Sequence, residues 1–237
     1  MERAFECVDE ALDRVAGEYE DRLAPAIPRV WMDGISAIRA DLREWLRRTA
    51  ESDDGWVPDK FELSFGLTDR GPRDSDPDSV KDPVNIIGDL KLRGSIDLVE
   101  HHPGRKYRVT DHKTGKARAG KSTIVGGGKY LQPLLYALAA QKLLDQQVES
   151  GRLYYCTADG GFEDRVVDLD RDNIQILNSV LIAIRQSLVD GFLPAAPAKN
   201  ECAWCDYLAV CGSFEEVRTR IKPGDRLVQL KGIRELP

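Results

Sequence analysis

Apolar residues recur at helical spacing at the start of the chain, where Phe5, Val8, Leu12, Val15 and Tyr19 predict a helix over Glu2 to about Leu23. Pro25 and Pro28 end it, and Trp31, Ile35, Ile38, Leu42, Trp45 and Leu46 predict a second helix from about Trp31 to Thr49. The period then changes. Phe61 to Leu67 alternates as a strand, with Glu62 on the face opposite Phe61. Asp69 to Asp82 is polar with Gly and Pro and reads as a loop. Val84 to Leu92 leads through a short turn at Gly88-Asp89 into the next strand as a meander. Two alternating runs, Ile96–Val99 and Tyr107–Thr110, flank a turn at His101–Arg105 and predict a hairpin. Leu131, Leu134, Leu135, Leu138 and Leu143 mark a helix within Lys129 to Gln147. It starts near Leu131, because Pro133 is tolerated only in a first turn. Gly151–Thr157 and Phe162–Leu169 are strands about Gly160-Gly161. Arg171 to Gly191 is a helix stopped by Gly191 ahead of Pro194 and Pro197.

The hairpin carries the candidate chemistry. Asp97 stands on its first strand, and Asp111 and Lys113 close the second, so pairing about the turn brings the two carboxylates together. Two such carboxylates repel unless a positive charge lies between them, and a divalent cation with oxygen ligands supplies it. Lys113, two residues beyond Asp111, faces the same side. Two acids and a lysine around one metal form an arrangement that cleaves phosphodiesters. A solvated hairpin with a surface ion pair is the alternative that spacing alone leaves open. Gln132 and Tyr136 share a face of the following helix; taken alone they read as a capping glutamine and a core tyrosine.

Composition narrows the function classes. The 237 residues are 42% hydrophobic and 31% charged, which suits a globular chain with a substantial core. No apolar run approaches the ~18 residues of a membrane span, and the acidic, amphipathic N-terminus is not a signal peptide. The net charge of −6 disfavours a nonspecific nucleic-acid coat. From His101 to Tyr130, however, Arg105, Lys106, Arg108, Lys113, Lys116, Arg118, Lys121 and Lys129 face a single acid, Asp111. Such a basic strip suits a phosphate-backbone substrate or a solvated loop. Gly115 to Ser122 matches the letters of a phosphate loop, but the following Thr123–Gly128 cannot start the helix that such a loop needs. Five cysteines, an odd number with three near the C-terminus, point to a metal or cluster in a reducing compartment. Cys202, Cys205 and Cys211 are spaced as a ligand set. A fourth ligand would come from Cys7, from Cys156 (otherwise a buried small hydrophobe) or from outside the chain. A zinc site completed by His101 or His102 is a further possibility.

Taken together, GSIDLVE, VTDHKTG, LQPLLYA and CAWCDYLAVCG resemble, in the family's order, the PD-(D/E)XK nuclease domain of the RecB type. The likeness is greatest to the AddB-like branch that carries an iron–sulfur cluster, and the CRISPR-adaptation nucleases of the superfamily share the C-terminal cysteine spacing. The resemblance runs from about Phe61 to Lys222. It implies an α/β fold with a restriction-endonuclease-like core, a mixed β-sheet flanked by helices, preceded by an N-terminal helical part. The implied division is 1–58 helical, 59–192 nuclease core and 193–237 cysteine segment. It implies Mg²⁺ or Mn²⁺ at Asp97 and Asp111, with Glu62 and His112 completing the ligand set, and Lys113 as the catalytic lysine. Gln132 and Tyr136 match the family's Q-x-x-x-Y motif, and Cys202, Cys205 and Cys211 would hold a [4Fe–4S] cluster. The chain departs from the pattern in lacking a histidine on an upstream helix, in setting Cys7 mid-helix, and in placing Leu98 where arginine is usual. The first two departures fit a chain that begins partway into the domain.

The resulting expectation is a metal-dependent DNA nuclease, an exonuclease of recombination or repair acting beside a helicase. It would be cytoplasmic and nucleoid-associated, with no membrane contact. The rival is an inactive DNA-binding or assembly module on the same fold.

Overall fold

The computed structural model describes residues 1–68, 75–87, 89–104, 106–222, 224–225 and 227–237. Residues 69–74 of the expected polar loop, Gly88 of the expected turn and Arg105 of the basic strip lie outside them. Two helices, α1 (Glu2–Leu23) and α2 (Pro28–Glu51), form an antiparallel hairpin. Pro28 opens α2 at its first turn, three residues before the expected start, because a helix tolerates proline there. Cross-helix ion pairs join Arg39 and Arg43 to Asp9, and Arg39 to Asp13. Such exposed pairs contribute only about 0–1 kcal/mol each.

The sheet comes from β1 (Val57–Phe65), β4 (Gly94–His102), β5 (Lys106–Lys113), β6 (Val148–Tyr155) and β7 (Asp164–Asp168), in the order β1-β4-β5-β6-β7. The expected boundary at 58/59 falls inside β1. Between β1 and β4, the short β2 (Val84–Asn85) and β3 (Lys91–Leu92) pair only with each other, so the expected meander forms a separate two-stranded ribbon. All neighbours in the main sheet are antiparallel except β5 and β6. A parallel pair needs a crossover, and α3 (Gln132–Leu144) supplies it. After Lys113 the chain passes through turns and a single 3₁₀ turn at Gly126–Gly128 before α3. No helix follows Ser122, as the sequence reading expected.

The core lies between the sheet and α3 with α4 (Arg171–Val189) behind it. Phe65, Ile96, Val99 and Val109 of the sheet pack with Leu134, Ala137 and Ala140 of α3 and Leu177 and Val180 of α4. Asp170 caps α4, its side chain accepting from the Asn173 amide at 2.8 Å. The end of the chain belongs to this body as well. Leu227 is buried, Ile233 of α7 (Val228–Arg234) and Leu236 pack against the core, and the Val125 and Gly126 amides donate to the Pro237 carbonyl at 2.6 and 2.8 Å. No helix among the described residues is long and apolar enough to cross a membrane.

One contact sets how closely α3 lies on the sheet. A Cβ added at Gly151 of β6 would stand 2.0 Å from the Pro133 carbonyl oxygen. The obstacle is backbone and cannot rotate away. Gly151→Ala is expected to push the N-terminus of α3 off the sheet and to cost about 3 kcal/mol or more, read as a fall in Tm by circular dichroism. An unchanged Tm would show that the layers are not in fixed contact there.

Candidate active site

The strand register builds the site. Leu98 pairs with Thr110 and Val99 with Val109, and one step further along that register Asp97 stands level with Asp111. On the other side, Phe61 pairs with Leu98 and Leu63 with Ile96, so Glu62 stands level with Asp97. Three carboxylates thus form a row across β1, β4 and β5, near where these strands meet the start of α3.

Each is held differently. Glu62 interrupts β1 with a left-handed backbone, φ +54°, uncommon for a residue with a Cβ. Its Oε2 accepts from the Ser95 hydroxyl at 2.9 Å, and its carbonyl from the Asp76 amide at 3.1 Å. Asp97 Oδ2 accepts from the backbone amide of His112 at 2.7 Å. Asp111 is buried, with 6% of its surface exposed. Its Oδ1 accepts from Gln132 Nε2 at 3.0 Å, while Oδ2 is ion-paired with Lys113 Nζ at 2.5 Å. Lys113 Nζ also donates to Gln132 Oε1 at 2.8 Å, closing a triangle. Burial pushes the Asp111 carboxyl above the usual aspartate range, Lys113 opposes this, and the charge of Asp97 adds to the rise. Gln132 is the first residue of α3, so the helix start is what brings it over the strand end. Tyr136, one turn further on, packs edge-on against Phe65 at 6.4 Å and beside Gly94, with its hydroxyl pushed up by burial.

Asp97, Asp111, Lys113, Gln132 and Tyr136 are therefore gathered in one place. His112 turns its ring the other way, edge-on to Trp45 of α2 at 5.6 Å and against Tyr154 at 6.0 Å. Its Nδ1 is 3.8 Å from Asp97 Oδ2, its Nε2 is buried without a partner, and burial lowers its pKa. Among the described residues, no three of His, Cys, Asp and Glu are drawn close enough to form a closed ion cage. The donors nonetheless suit a hard divalent cation: they are carboxylate oxygens, and one of the carboxylates is buried beside another, whose charge raises its pKa. Sequence reasoning missed Ser95, Trp45 and Cys156, whose Sγ donates to the Lys113 carbonyl at 3.7 Å. Only for Ser95, two residues before Asp97, did the strand pattern hold a signal.

The opposite face of the same strands holds a second charged group. Glu100 accepts from Arg108 at 2.9 and 3.0 Å, from Thr110 at 2.7 Å and from Arg152 at 3.0 Å, all in the sheet interior. Trp56 and Tyr154 cover the two guanidinium groups at 4.6 and 5.0 Å. Thr110 and Asp111 are neighbours on β5, so this group and the candidate site share one strand through its two faces.

Cys202, Cys205 and Cys211 sit on successive turns, a 3₁₀ turn at Glu201–Trp204 and α5 (Leu208–Cys211). All three line one cavity of ≈ 1010 Å³, together with Trp204 and Tyr207. Cys7 is exposed on α1 and Cys156 lies beside Lys113; neither lines that cavity. The thiols suit a soft metal in type, and the cavity offers one fewer than the four that a [4Fe–4S] cluster takes.

A family model for the PD-(D/E)XK nuclease superfamily matches residues 1–212, and the chain belongs to that superfamily. No curated protein matches the chain.

Glu100→Ala would leave the Arg108 and Arg152 guanidinium groups with only the more exposed Asp54 and Asp164 as counter-charges, at 3.4 and 3.9 Å, and a loss of about 3 kcal/mol is expected in denaturant unfolding. Burial works to raise the Glu100 pKa, but Arg108, Arg152 and Thr110 hold it below the ordinary 4.5. Its contribution is therefore complete above about 4.5 and is lost as pH falls through the lower folded value. A variant whose stability matched wild type at pH 7 would refute this structural role of Glu100.

Proposed function

We propose that this member of the PD-(D/E)XK superfamily is a divalent-metal-dependent deoxyribonuclease acting through Asp97, Asp111 and Lys113. The observation that carries this reading is Asp111. Its carboxylate is buried, held by one lysine at 2.5 Å and one glutamine, and close to a second carboxylate whose charge adds to the rise of its pKa. That environment is costly for folding alone. Asp97 and Asp111 would hold Mg²⁺ or Mn²⁺, with Glu62 entering from β1. When bound, the ion supplies Lewis acidity toward a phosphate oxygen and lowers the pKa of water. Lys113 keeps its ammonium beside Asp111, where it can orient a water or stabilise charge on a phosphate. Gln132 fixes Lys113 and Asp111 relative to each other, and Tyr136 supports Gln132. His112 would hold Asp97 through its backbone amide, while its ring, with Nδ1 3.8 Å from Asp97 Oδ2, packs against Trp45 and Tyr154.

The finer reading follows the motif resemblance. The enzyme is an exonuclease of DNA recombination or repair, working beside a helicase and near the nucleoid, and the three C-terminal thiols take part in a [4Fe–4S] cluster completed by a fourth ligand. One rival is an inactive DNA-binding module: the lack of a histidine upstream of Asp97 favours it, and the intact Asp97, Asp111 and Lys113 argue against it.

The test is cleavage of end-labelled single- and double-stranded DNA with Mg²⁺ or Mn²⁺. Wild type is expected to cleave, and Asp111→Ala to lose on the order of 10²-fold or more. Equal cleavage by both would refute the site, and a folded wild type without cleavage would favour the binding module. In a second measurement, Mn²⁺ should raise the Tm of wild type but not of Asp111→Ala. Cation and proton compete for a carboxyl whose pKa lies above 3.8. The Mn²⁺ shift should therefore be full at neutral pH and vanish as pH falls through that raised value; a shift independent of pH would place the ion elsewhere.

A further inference from the structure

The basic strip between His101 and Tyr130 does not act as one surface. Arg108 is buried against Glu100, Lys106 pairs with Glu149 at 2.9 Å, Lys113 belongs to the candidate site, and Lys129 pairs with Glu201 at 2.5 Å. Arg105 lies outside the described residues, and of the others Lys116, Arg118 and Lys121 remain. All three are exposed, and among the described residues none of them makes an ion pair. No acid occurs from Thr114 to Tyr130. The nearest carboxylate argument against them is Glu163, whose charge Lys121 feels, but Glu163 is already paired with Arg165 at 2.6 Å.

These three cations sit on a loop that begins and ends at the candidate site. Lys113 precedes it, Gln132 follows it, and their side chains are hydrogen-bonded at 2.8 Å. The loop is also fixed at its middle. Ala119 is buried, its amide donates to the Tyr155 hydroxyl oxygen at 3.3 Å, and its carbonyl accepts from Arg165 Nε at 2.7 Å. Arg118 and Lys121 thus flank a pinned residue, with Lys116 between the pin and Lys113. A loop tied at both ends and at its centre loses little further entropy when its cations meet a ligand.

We propose that Lys116, Arg118 and Lys121 form a backbone track that holds successive phosphates of a nucleic-acid strand and leads it to Asp111 and Lys113. This rests on the reading of the site as one that takes nucleic acid, but not on its cleaving it. The contacts are to phosphate, so the track is indifferent to sequence and sensitive to salt.

The test uses the full chain and a fluorescein-labelled oligothymidylate in EDTA, where no metal-dependent cleavage occurs. Binding is followed by anisotropy across a series of salt concentrations. The triple variant Lys116→Gln, Arg118→Gln, Lys121→Gln is expected to weaken binding by at least about tenfold and to lower the slope of log K against log salt by roughly 2 to 3. A charge-keeping triple, Lys116→Arg, Arg118→Lys, Lys121→Arg, should restore both. A control triple, Arg14→Gln, Arg22→Gln, Arg29→Gln, removes the same charge from the helical hairpin and should leave the slope as in wild type. An unchanged slope in the loop triple, or an equal loss in the control triple, overturns the track. Wild type that binds through the track yet fails to cleave with Mg²⁺ refutes the nuclease reading and leaves the track standing.

Discussion

The arrangement depends on keeping one carboxylate charged inside the protein. Asp111 has little water to solvate it, and removing an ion from water costs several kcal/mol even after relaxation. Lys113 and Gln132 offset that cost, and to do so each must arrive from a particular direction. Lys113 comes free with strand geometry, two residues along β5. Gln132 does not; it reaches Asp111 only because α3 begins where the crossover from β5 to β6 brings it back over the sheet. Gly151 allows that helix start to approach, so a residue without a side chain on β6 helps to set the electrostatics of an aspartate on β5.

The other face of the strands answers the same constraint by other means. Glu100 is also a buried carboxylate, yet two arginines and a threonine surround it, and its pKa is lowered where that of Asp111 is raised. The contrast separates a structural carboxylate from a chemical one. Glu100 has its hydrogen bonds satisfied and has no room for a further cation. Asp111 has one lysine and one glutamine, and a second carboxylate stands close enough to raise its pKa. His112 stands between the groups, its amide holding Asp97 while its ring rests against Trp45 and Tyr154. Through it the N-terminal helical hairpin touches the strand that carries the chemistry.

Much of this was legible in the sequence, because period and punctuation fix it. The α1 bounds follow from an apolar stripe and two prolines, and the hairpin turn places Asp97 level with Asp111. The same register puts Glu100 opposite Arg108 and could have exposed the buried ion pair; nothing in the residues themselves says that it is buried. The separate β2–β3 ribbon was not legible, since a meander and a detached ribbon share one alternation pattern. Nor was the left-handed Glu62, which breaks alternation in a residue that rarely adopts that backbone. The split of the basic strip needed partners as distant as Glu149 and Glu201, which local sequence cannot supply.

The cysteine segment shows where packing alone is insufficient. Trp204, which is 91% exposed, and Val210, which is 83% exposed, line a cavity together with three free thiols. The chain beyond it returns to the core through Leu227, Ile233 and Leu236. The segment is thus tethered at both ends to the folded body while its own apolar side chains face outward. Tethering lowers the loop-closure cost of assembling ligands in between. If the three thiols bind a metal as proposed, coordination would supply the free energy that burial of this segment's apolar side chains does not.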